Sequence, residues 1–324
     1  MQVYLLTTTE CNLKCSYCIR GNQKKEYIDL KILKNILDKN DFTRDQVLIT
    51  GGEPTLHPGF EKIVRICCEK FKNVSVNTNG MSINKIEALS DKRIHIQISL
   101  DGSEIIHEKI RGENTYRHLI ENIRKIDKIG FGYNIATVVN SINKDDIINM
   151  IPALTNLKNM RYWKVEAQLP FGCGNNNKCI TVTEWNALVE ELLVQCPFRL
   201  VIKKIFDFSL LKNLTNEQIR EIGDMKVKNC GNCKEKVYIY PDMTVYPCTC
   251  LIDFPIGNLC KHTIQEILES SQAKIFSDYK VKKDSQCYNC KYLPICNGGC
   301  IGMSYNVFGK LGYGDIRCKY VKKI

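Results

Sequence analysis

Eighteen cysteines in 324 residues constrain this chain more than any other feature. Eleven of them are clustered. Cys11, Cys15 and Cys18 form C-x3-C-x2-C. Cys230 and Cys233 form C-x2-C, and Cys248 follows after 14 intervening residues. Cys287, Cys290, Cys296 and Cys300 form C-x2-C-x5-C-x3-C, with Cys318 beyond. The start, Met1-Gln2-Val3-Tyr4, has no basic stretch leading into an apolar one, so no secretion signal is expected. The expected compartment is the cytoplasm, whose reducing conditions disfavour disulfides and leave metal ligation or catalysis. On spacing alone, zinc and iron–sulfur fit the C-terminal group equally well. Zinc fits the N-terminal group poorly. Three cysteines within eight residues, with no adjacent fourth Cys or His, leave one coordination position open. An open position on a redox-capable cluster suits ligation of a substrate rather than a structural staple.

Around the cysteines the composition is that of a globular protein, 44% apolar and 25% charged. No apolar run approaches the roughly 18 residues of a membrane span, so no membrane is expected as a partner. Strands are expected at 2–7, 47–49, 74–77, 94–98, 133–139 and 161–166. Helices are expected between them, at 29–39, 60–70, 83–89, 117–128 and 145–156. Such alternation means βαβ units and a parallel sheet, open or curled into a barrel. Ligands then sit at the carboxyl ends of the strands. Cys11, Gly51-Gly52-Glu53-Pro54, Asn77-Thr78-Asn79-Gly80 and Ser99-Leu100-Asp101-Gly102 all follow expected strands. Residues 171–180 read as a loop. A helix is expected next, with Thr183 as N-cap and Glu184 in its first turn. From Lys226 the periodicity weakens and metal is expected to organise the core. The expected units are 1–180, a bridge at 181–225, and 226–324.

The run Cys11-Asn-Leu-Lys-Cys15-Ser-Tyr17-Cys18 resembles the signature of the radical S-adenosylmethionine (SAM) superfamily. Gly51-Gly52-Glu53-Pro54 after the second strand strengthens it. The resemblance implies a partial (β/α)6 barrel followed by a small cysteine-rich iron–sulfur domain, an α/β fold class. It also implies a 4Fe–4S cluster on Cys11, Cys15 and Cys18, with SAM on the fourth iron. Glycines in the second motif let the chain approach a ligand without a Cβ in the way. By the same resemblance Tyr17, Gly51, Gly52, Glu53, Pro54, Asn79, Ser99, Asp101, Arg111 and Leu169 would form the SAM site. Ser99 and Arg111 would touch the ribose or carboxylate, Tyr17 and Gly51 the adenosyl moiety, and Leu169 the adenine. Ser99-Leu100-Asp101-Gly102 with His107 and Arg111 downstream resembles the SAM-contacting stretch of peptide-modifying members.

The C-terminal cysteines are similar to a SPASM extension, which carries two auxiliary 4Fe–4S clusters. Tyr240-Pro241-Asp242-Met243 precedes Cys248, with Met243 where glycine is usual. That pattern implies interleaved ligands: Cys230, Cys233, Cys248 and Cys300 for an inner cluster, and Cys287, Cys290, Cys296 and Cys318 for an outer one. Cys230 lies nearer to Cys233 than in that pattern. Three clusters would lower the formal net charge of +11 to about +6. No basic run of five or six residues is present, so no nucleic acid is expected as a partner.

The implied activity is reductive cleavage of SAM to a 5′-deoxyadenosyl radical. That radical takes hydrogen from a peptide or protein substrate, and the auxiliary clusters accept the substrate electron. The expected outcome is an oxidation or a cross-link, such as a thioether or carbon–carbon bond. Flavodoxin or ferredoxin would supply electrons. With the first strand expected from residue 2, no N-terminal peptide-binding domain is expected. A leader peptide would then need the core, the 180–225 segment or a separate binding protein. The alternatives are a peptide epimerase, an anaerobic sulfatase maturase, an RNA-modifying radical enzyme, and a non-catalytic zinc or iron–sulfur binding module. Thr249 follows Cys248 where maturases place an Asp base. Seven cysteines lie outside the cluster pattern. Cys67 and Cys68 are expected in a helical core, with Cys196 and Cys260 unassigned. Cys173, Cys179 and Cys250 are candidate hydrogen donors or substrate-site thiols.

Overall fold

The computed structural model describes residues 1–21, 24–89, 94–174, 178–224 and 229–322. Ten strands form one sheet: β1 Gln2–Thr8, β2 Gln46–Gly51, β3 Asn73–Thr78, β4 His95–Ser99, β5 Tyr133–Val139, β6 Met160–Ala167, β7 Leu200–Val201, β8 Lys236–Ile239, β9 Thr244–Tyr246 and β10 Gly257–Asn258. Their order is β10-β9-β8-β1-β2-β3-β4-β5-β6-β7. All neighbours from β8 to β7 run parallel, and the β8-β9-β10 edge is antiparallel.

Alternation along the strands explains how this sheet makes room for a site. Val74, Val76, Ile96, Ile98, Trp163 and Val165 are buried and join the core formed with the helices. The residues between them are polar and half-buried or more exposed: Ser75, Asn77, Gln97, Ser99, Lys164 and Glu166. Parallel sheets are normally covered on both faces by apolar contacts. On β3, β4 and β6 the residues that face the other way are polar, which leaves that side open to a polar ligand.

The helices of the first half are α1 Leu30–Lys39, α2 Phe60–Lys70, α3 Ile83–Glu87, α4 Glu104–Arg111, α5 Tyr116–Ile129 and α6 Ile151–Thr155. Helix α1 shows why they form where they do. Asp29 caps it by accepting from the Lys31 and Ile32 amides, and Leu33, Ile36 and Leu37 form its buried stripe. Cys67 of α2 is fully buried, as expected of a core thiol.

Four details depart from the sequence expectations. Helix α4 occupies 104–111, where none was expected. Only the second part of the 145–156 helix is α; residues Ile147–Met150 form a 3-10 turn, and Pro152 restarts the helix in its first turn. The helix after the 171–180 loop, α7 Val182–Gln195, is capped by Thr181 rather than Thr183. Thr181 and Glu184 form a reciprocal capping box, which uses a spacing of three that Thr183 and Glu184 lack. Finally, β8 lies beyond residue 226 yet pairs with β1 from Gln2↔Lys236 to Leu5↔Ile239. The sheet therefore continues into the cysteine-rich segment. The remaining helices are α8 Asn216–Asp224, α9 Ile264–Glu269, α10 Ser271–Ser277, α11 Leu293–Cys296 and α12 Ile301–Phe308. Among the described residues no helix is long and apolar enough to cross a membrane.

Candidate metal and cofactor site

β1 ends in the Cys11–Cys18 loop, and β2 ends in Gly51-Gly52-Glu53-Pro54. The two ends are locked together by backbone. The Gly52 amide donates to Thr8 O at 2.7 Å and the Glu53 amide to Glu10 O at 2.7 Å. A Cβ at Gly52 would lie 2.2 Å from Glu10 O, and one at Gly51 would lie 2.3 Å from Thr8 O. The glycines therefore serve the cysteine loop directly, by letting a second chain lie against it.

Glu53 is 1% exposed and turns inward. Its Oε1 accepts from the Thr55 and Thr78 hydroxyls at 2.7 and 2.8 Å, and its Oε2 accepts from the Asn79 amide at 2.7 Å. Burial pushes its carboxyl up, and these hydrogen bonds oppose that shift. Pro54 is buried in the 3-10 turn that follows. Asn79 in turn donates to Asn12 Oδ1 at 2.8 Å, inside the cysteine loop. Glu53 thus fixes the carboxyl ends of β2 and β3 around that loop.

Behind Cys15 lies a buried ion pair. Arg111 Nε donates to Asp101 Oδ2 at 2.6 Å, and the Tyr17 hydroxyl donates to the same oxygen at 2.7 Å. Asp101 Oδ1 accepts from the Val138 amide at 2.8 Å. The Arg111 guanidinium lies over the Tyr17 ring and approaches Cys15 Sγ at 3.9 Å. Burial pushes the Cys15 thiol up to about 11, and Arg111 opposes it. The resemblance assigned Tyr17, Asp101 and Arg111 to SAM. The structure gives all three protein partners and places them against the cysteine loop. Ser99 is half-buried at the end of β4, and Leu169 is half-buried in the turn after β6.

The site also contains polar atoms beyond the residues that the resemblance assigns to SAM. Ser16 Oγ, Arg20 Nη1, Asn77 Oδ1 and Gln168 Oε1 are buried without a hydrogen-bond partner. Ser16 and Arg20 belong to the cysteine loop and its exit, Asn77 to the end of β3, and Gln168 to the end of β6. Such groups are costly to bury unpaired. Their position at strand ends fits a polar ligand such as SAM beside the three thiols.

His107 is fully buried, and its Nδ1 accepts from the Asp101 amide at 3.2 Å. Burial, with Arg111 next, lowers its pKa to about 4. Its folded pKa lies below the ordinary value near 6.5, so its stabilising effect is present above pH ~6.5 and is lost as pH falls through about 4. Stability should fall by about 2 kcal/mol between pH 7 and pH 5 from this residue alone. His107→Phe should flatten that slope in urea unfolding; an unchanged slope would show the fall comes from elsewhere.

The C-terminal thiols divide by position. Cys287, Cys290, Cys296 and Cys318 line one cavity with Phe206, Phe208 and Leu293. Gly314 leaves space for it: a Cβ there would lie 2.5 Å from Cys287 Sγ. Burial, then the other three thiols, pushes Cys287 up to about 12. Four thiols gathered on one cavity suit a cationic core that would hold them as thiolates. Among the described residues no three His, Cys, Asp or Glu side chains converge as ligands of one metal ion. A tetrahedral zinc needs its sulfurs about 2.3 Å from a single point. Four thiols around one cavity are the number that a four-iron cluster takes.

Cys230 and Cys248 are hydrogen-bonded through their thiols, and Cys300 lies close enough to feel the charge of Cys230. Cys233 is buried apart, its thiol 3.9 Å from Gly231 O. Met243, where glycine is usual, takes the left-handed backbone (φ +66) that glycine would take, with its side chain buried. Cys173 is exposed, and its amide donates to Cys18 O at 2.8 Å, which places it beside the N-terminal loop. Cys179 accepts from Gln168 Nε2 at 3.7 Å. Cys250 adjoins Cys248, whose thiol accepts from the Cys250 amide at 3.5 Å.

Comparisons with known proteins agree with this geometry. Residues 5–152 match the family model "Radical SAM superfamily", and residues 230–291 match SPASM, "Iron-sulfur cluster-binding domain". A cysteine-type anaerobic sulfatase-maturating enzyme of Clostridium novyi (strain NT) is 27% identical over 90% of this chain and 85% of its own length. The sporulation killing factor maturation protein SkfB of Bacillus subtilis (strain 168) is 26% identical over 89% of this chain and 67% of its own length. In fold, the chain resembles Streptococcus suis SuiB bound to precursor peptide SuiA. That match has a TM-score of 0.79 and 18% identity, and covers 99% of this chain and 76% of that one. Native anSMEcpe with bound AdoMet gives 0.74 at 20% identity, covering 98% and 94%.

Proposed function

Given that this chain belongs to the radical SAM superfamily and carries a SPASM iron–sulfur domain, we propose that it oxidatively modifies a peptide. The observation that carries this reading is the pairing of two kinds of thiol site in one chain. One, at Cys11, Cys15 and Cys18, has three thiols. The other, in the cavity of Cys287, Cys290, Cys296 and Cys318, has four. When bound, the clusters and SAM supply a 5′-deoxyadenosyl radical at the first site and an electron acceptor at the second.

The protein's own part is placement. Gly52 and Glu53 hold the cysteine loop through Thr8 and Glu10. The Asp101–Arg111 pair supports Cys15 from behind and sets a positive charge beside its thiolate. The unpaired groups of Ser16, Asn77 and Gln168 offer hydrogen bonds to SAM. The polar face of Ser75, Gln97, Ser99, Lys164 and Glu166 receives an extended peptide, so that one C–H bond faces the radical. The relatives named for peptide or protein maturation favour a peptide over a small molecule.

The test uses protein reconstituted anaerobically, which should hold about twelve iron and twelve sulfide per chain. With reductant, SAM and a peptide encoded beside the gene, mass spectrometry should find 5′-deoxyadenosine and a peptide that has lost two hydrogen atoms. Equal modification by iron-free protein would refute the reading. The exposed Cys173 beside Cys18 favours one second reading, epimerisation with a thiol hydrogen donor. Deuterium uptake from heavy water without that loss would select it.

A further inference from the structure

The inner thiol set has one member too many in sequence and a different one in space. Cys230, Cys248 and Cys300 come together; the fourth ligand is either Cys233 or Cys250. Cys233 lies in the tight turn Gly231-Asn232-Cys233, with φ +87 at Gly231 and φ +58 at Cys233 itself. It is 2% exposed, and its thiol turns back to the Gly231 carbonyl of its own turn. This is a position that glycine usually takes. Its side chain is part of the buried apolar core.

Cys250 is placed in the opposite way. Its amide donates to Cys248 Sγ at 3.5 Å, and the Cys248 and Cys250 thiols are hydrogen-bonded. Gly302 lies between it and Cys300: a Cβ on Gly302 would lie 2.8 Å from Cys250 Cβ and 3.8 Å from Cys300 Sγ. Cys300 caps α12, and Asn306 of the same helix donates to Cys250 O at 3.2 Å and Gly302 O at 2.9 Å. One amide side chain thus ties the Cys250 segment to the helix that begins at Cys300. Cys250 therefore touches a thiol on one side and faces a second across a glycine.

We propose that Cys250, not Cys233, is the fourth ligand of the inner cluster, so that Cys230, Cys248, Cys250 and Cys300 hold it. This rests on the reading that the C-terminal thiols bind clusters. It removes Cys250 from the candidate hydrogen donors and gives Cys233 a packing role. It also accounts for the short spacing between Cys230 and Cys233, because the two need not share a cluster.

The test counts iron and sulfide in anaerobically reconstituted protein, with Cys318→Ala as the reference for loss of the outer cluster. Cys250→Ala should lose about four iron per chain, and Cys233→Ala should keep the full complement. Wild-type protein is also treated with N-ethylmaleimide before and after removal of iron by a chelator. Cys250 is half-exposed, so it should resist alkylation only while iron is bound. This second readout needs no variant to fold. Loss of iron in Cys233→Ala alone, full iron in both variants, or alkylation of Cys250 in the iron-loaded protein overturns the proposal. Wild-type protein that holds only about four iron overturns both the proposal and the reading beneath it.

Discussion

Alanine at Gly52 should strip the N-terminal thiol site of its iron and leave the C-terminal iron in place. The new Cβ would lie 2.2 Å from Glu10 O, 2.5 Å from Glu10 C and 2.7 Å from Thr9 O. All three are backbone atoms of the segment between β1 and Cys11, so no side chain can rotate to relieve the clash. The two chains must separate, which breaks the bonds from Gly52 to Thr8 and from Glu53 to Glu10. Overpacking alone costs about 1–3 kcal/mol, and two lost buried hydrogen bonds add about 1–3 more. Reconstituted Gly52→Ala protein should hold about four fewer iron per chain and cleave no SAM. Gly59→Ala is the control. Its Cβ would lie 2.6 Å from Leu30 Cδ1, the end of a flexible side chain, and iron should be unchanged. Wild-type iron in Gly52→Ala would mean that the loop tolerates separation and that the glycines matter only to the ligand.

Removing Asp101 should cost about 3–5 kcal/mol, the range for breaking a buried ion pair from one side. The two side chains are 0% and 7% exposed, so water cannot replace the lost carboxylate. Asp101→Ala would leave the Arg111 charge, the Tyr17 hydroxyl and the Val138 amide without their acceptor at once. Urea unfolding should show a lower midpoint at an unchanged slope. The double variant Asp101→Ala/Arg111→Met should be more stable than Asp101→Ala alone, because it removes the stranded charge as well. A loss below about 1 kcal/mol in the single variant would show that the pair is solvated in solution.

Each of these residues was visible in the sequence, but its task was not. Gly52 was legible as a close-approach glycine in a motif after a strand. That it approaches the chain entering Cys11 depends on the pairing of β1 with β2, from Gln2↔Gln46 to Thr8↔Gly51. Arg111 was legible as a charged residue downstream of Asp101. Its burial was not, because α4 was unexpected: Ile106, Ile110 and the residues around them alternate too briefly to set a period.

The cysteine spacings, the run of parallel strands and the glycine motif were all legible in the residues alone. These are local signals: side-chain alternation, ligand spacing and backbone permissiveness each act over a few residues. Which thiols meet depends instead on how the chain folds back on itself. Cys230 and Cys233 are three residues apart, yet the left-handed turn at Cys233 points them to different neighbours. Cys230 and Cys300 are far apart in sequence, yet the charge of one reaches the other. The pairing of β8 with β1 likewise joins residues 2–5 to residues 236–239. Such contacts depend on how the chain closes long loops, and loop closure leaves no periodic trace in the residues it brings together.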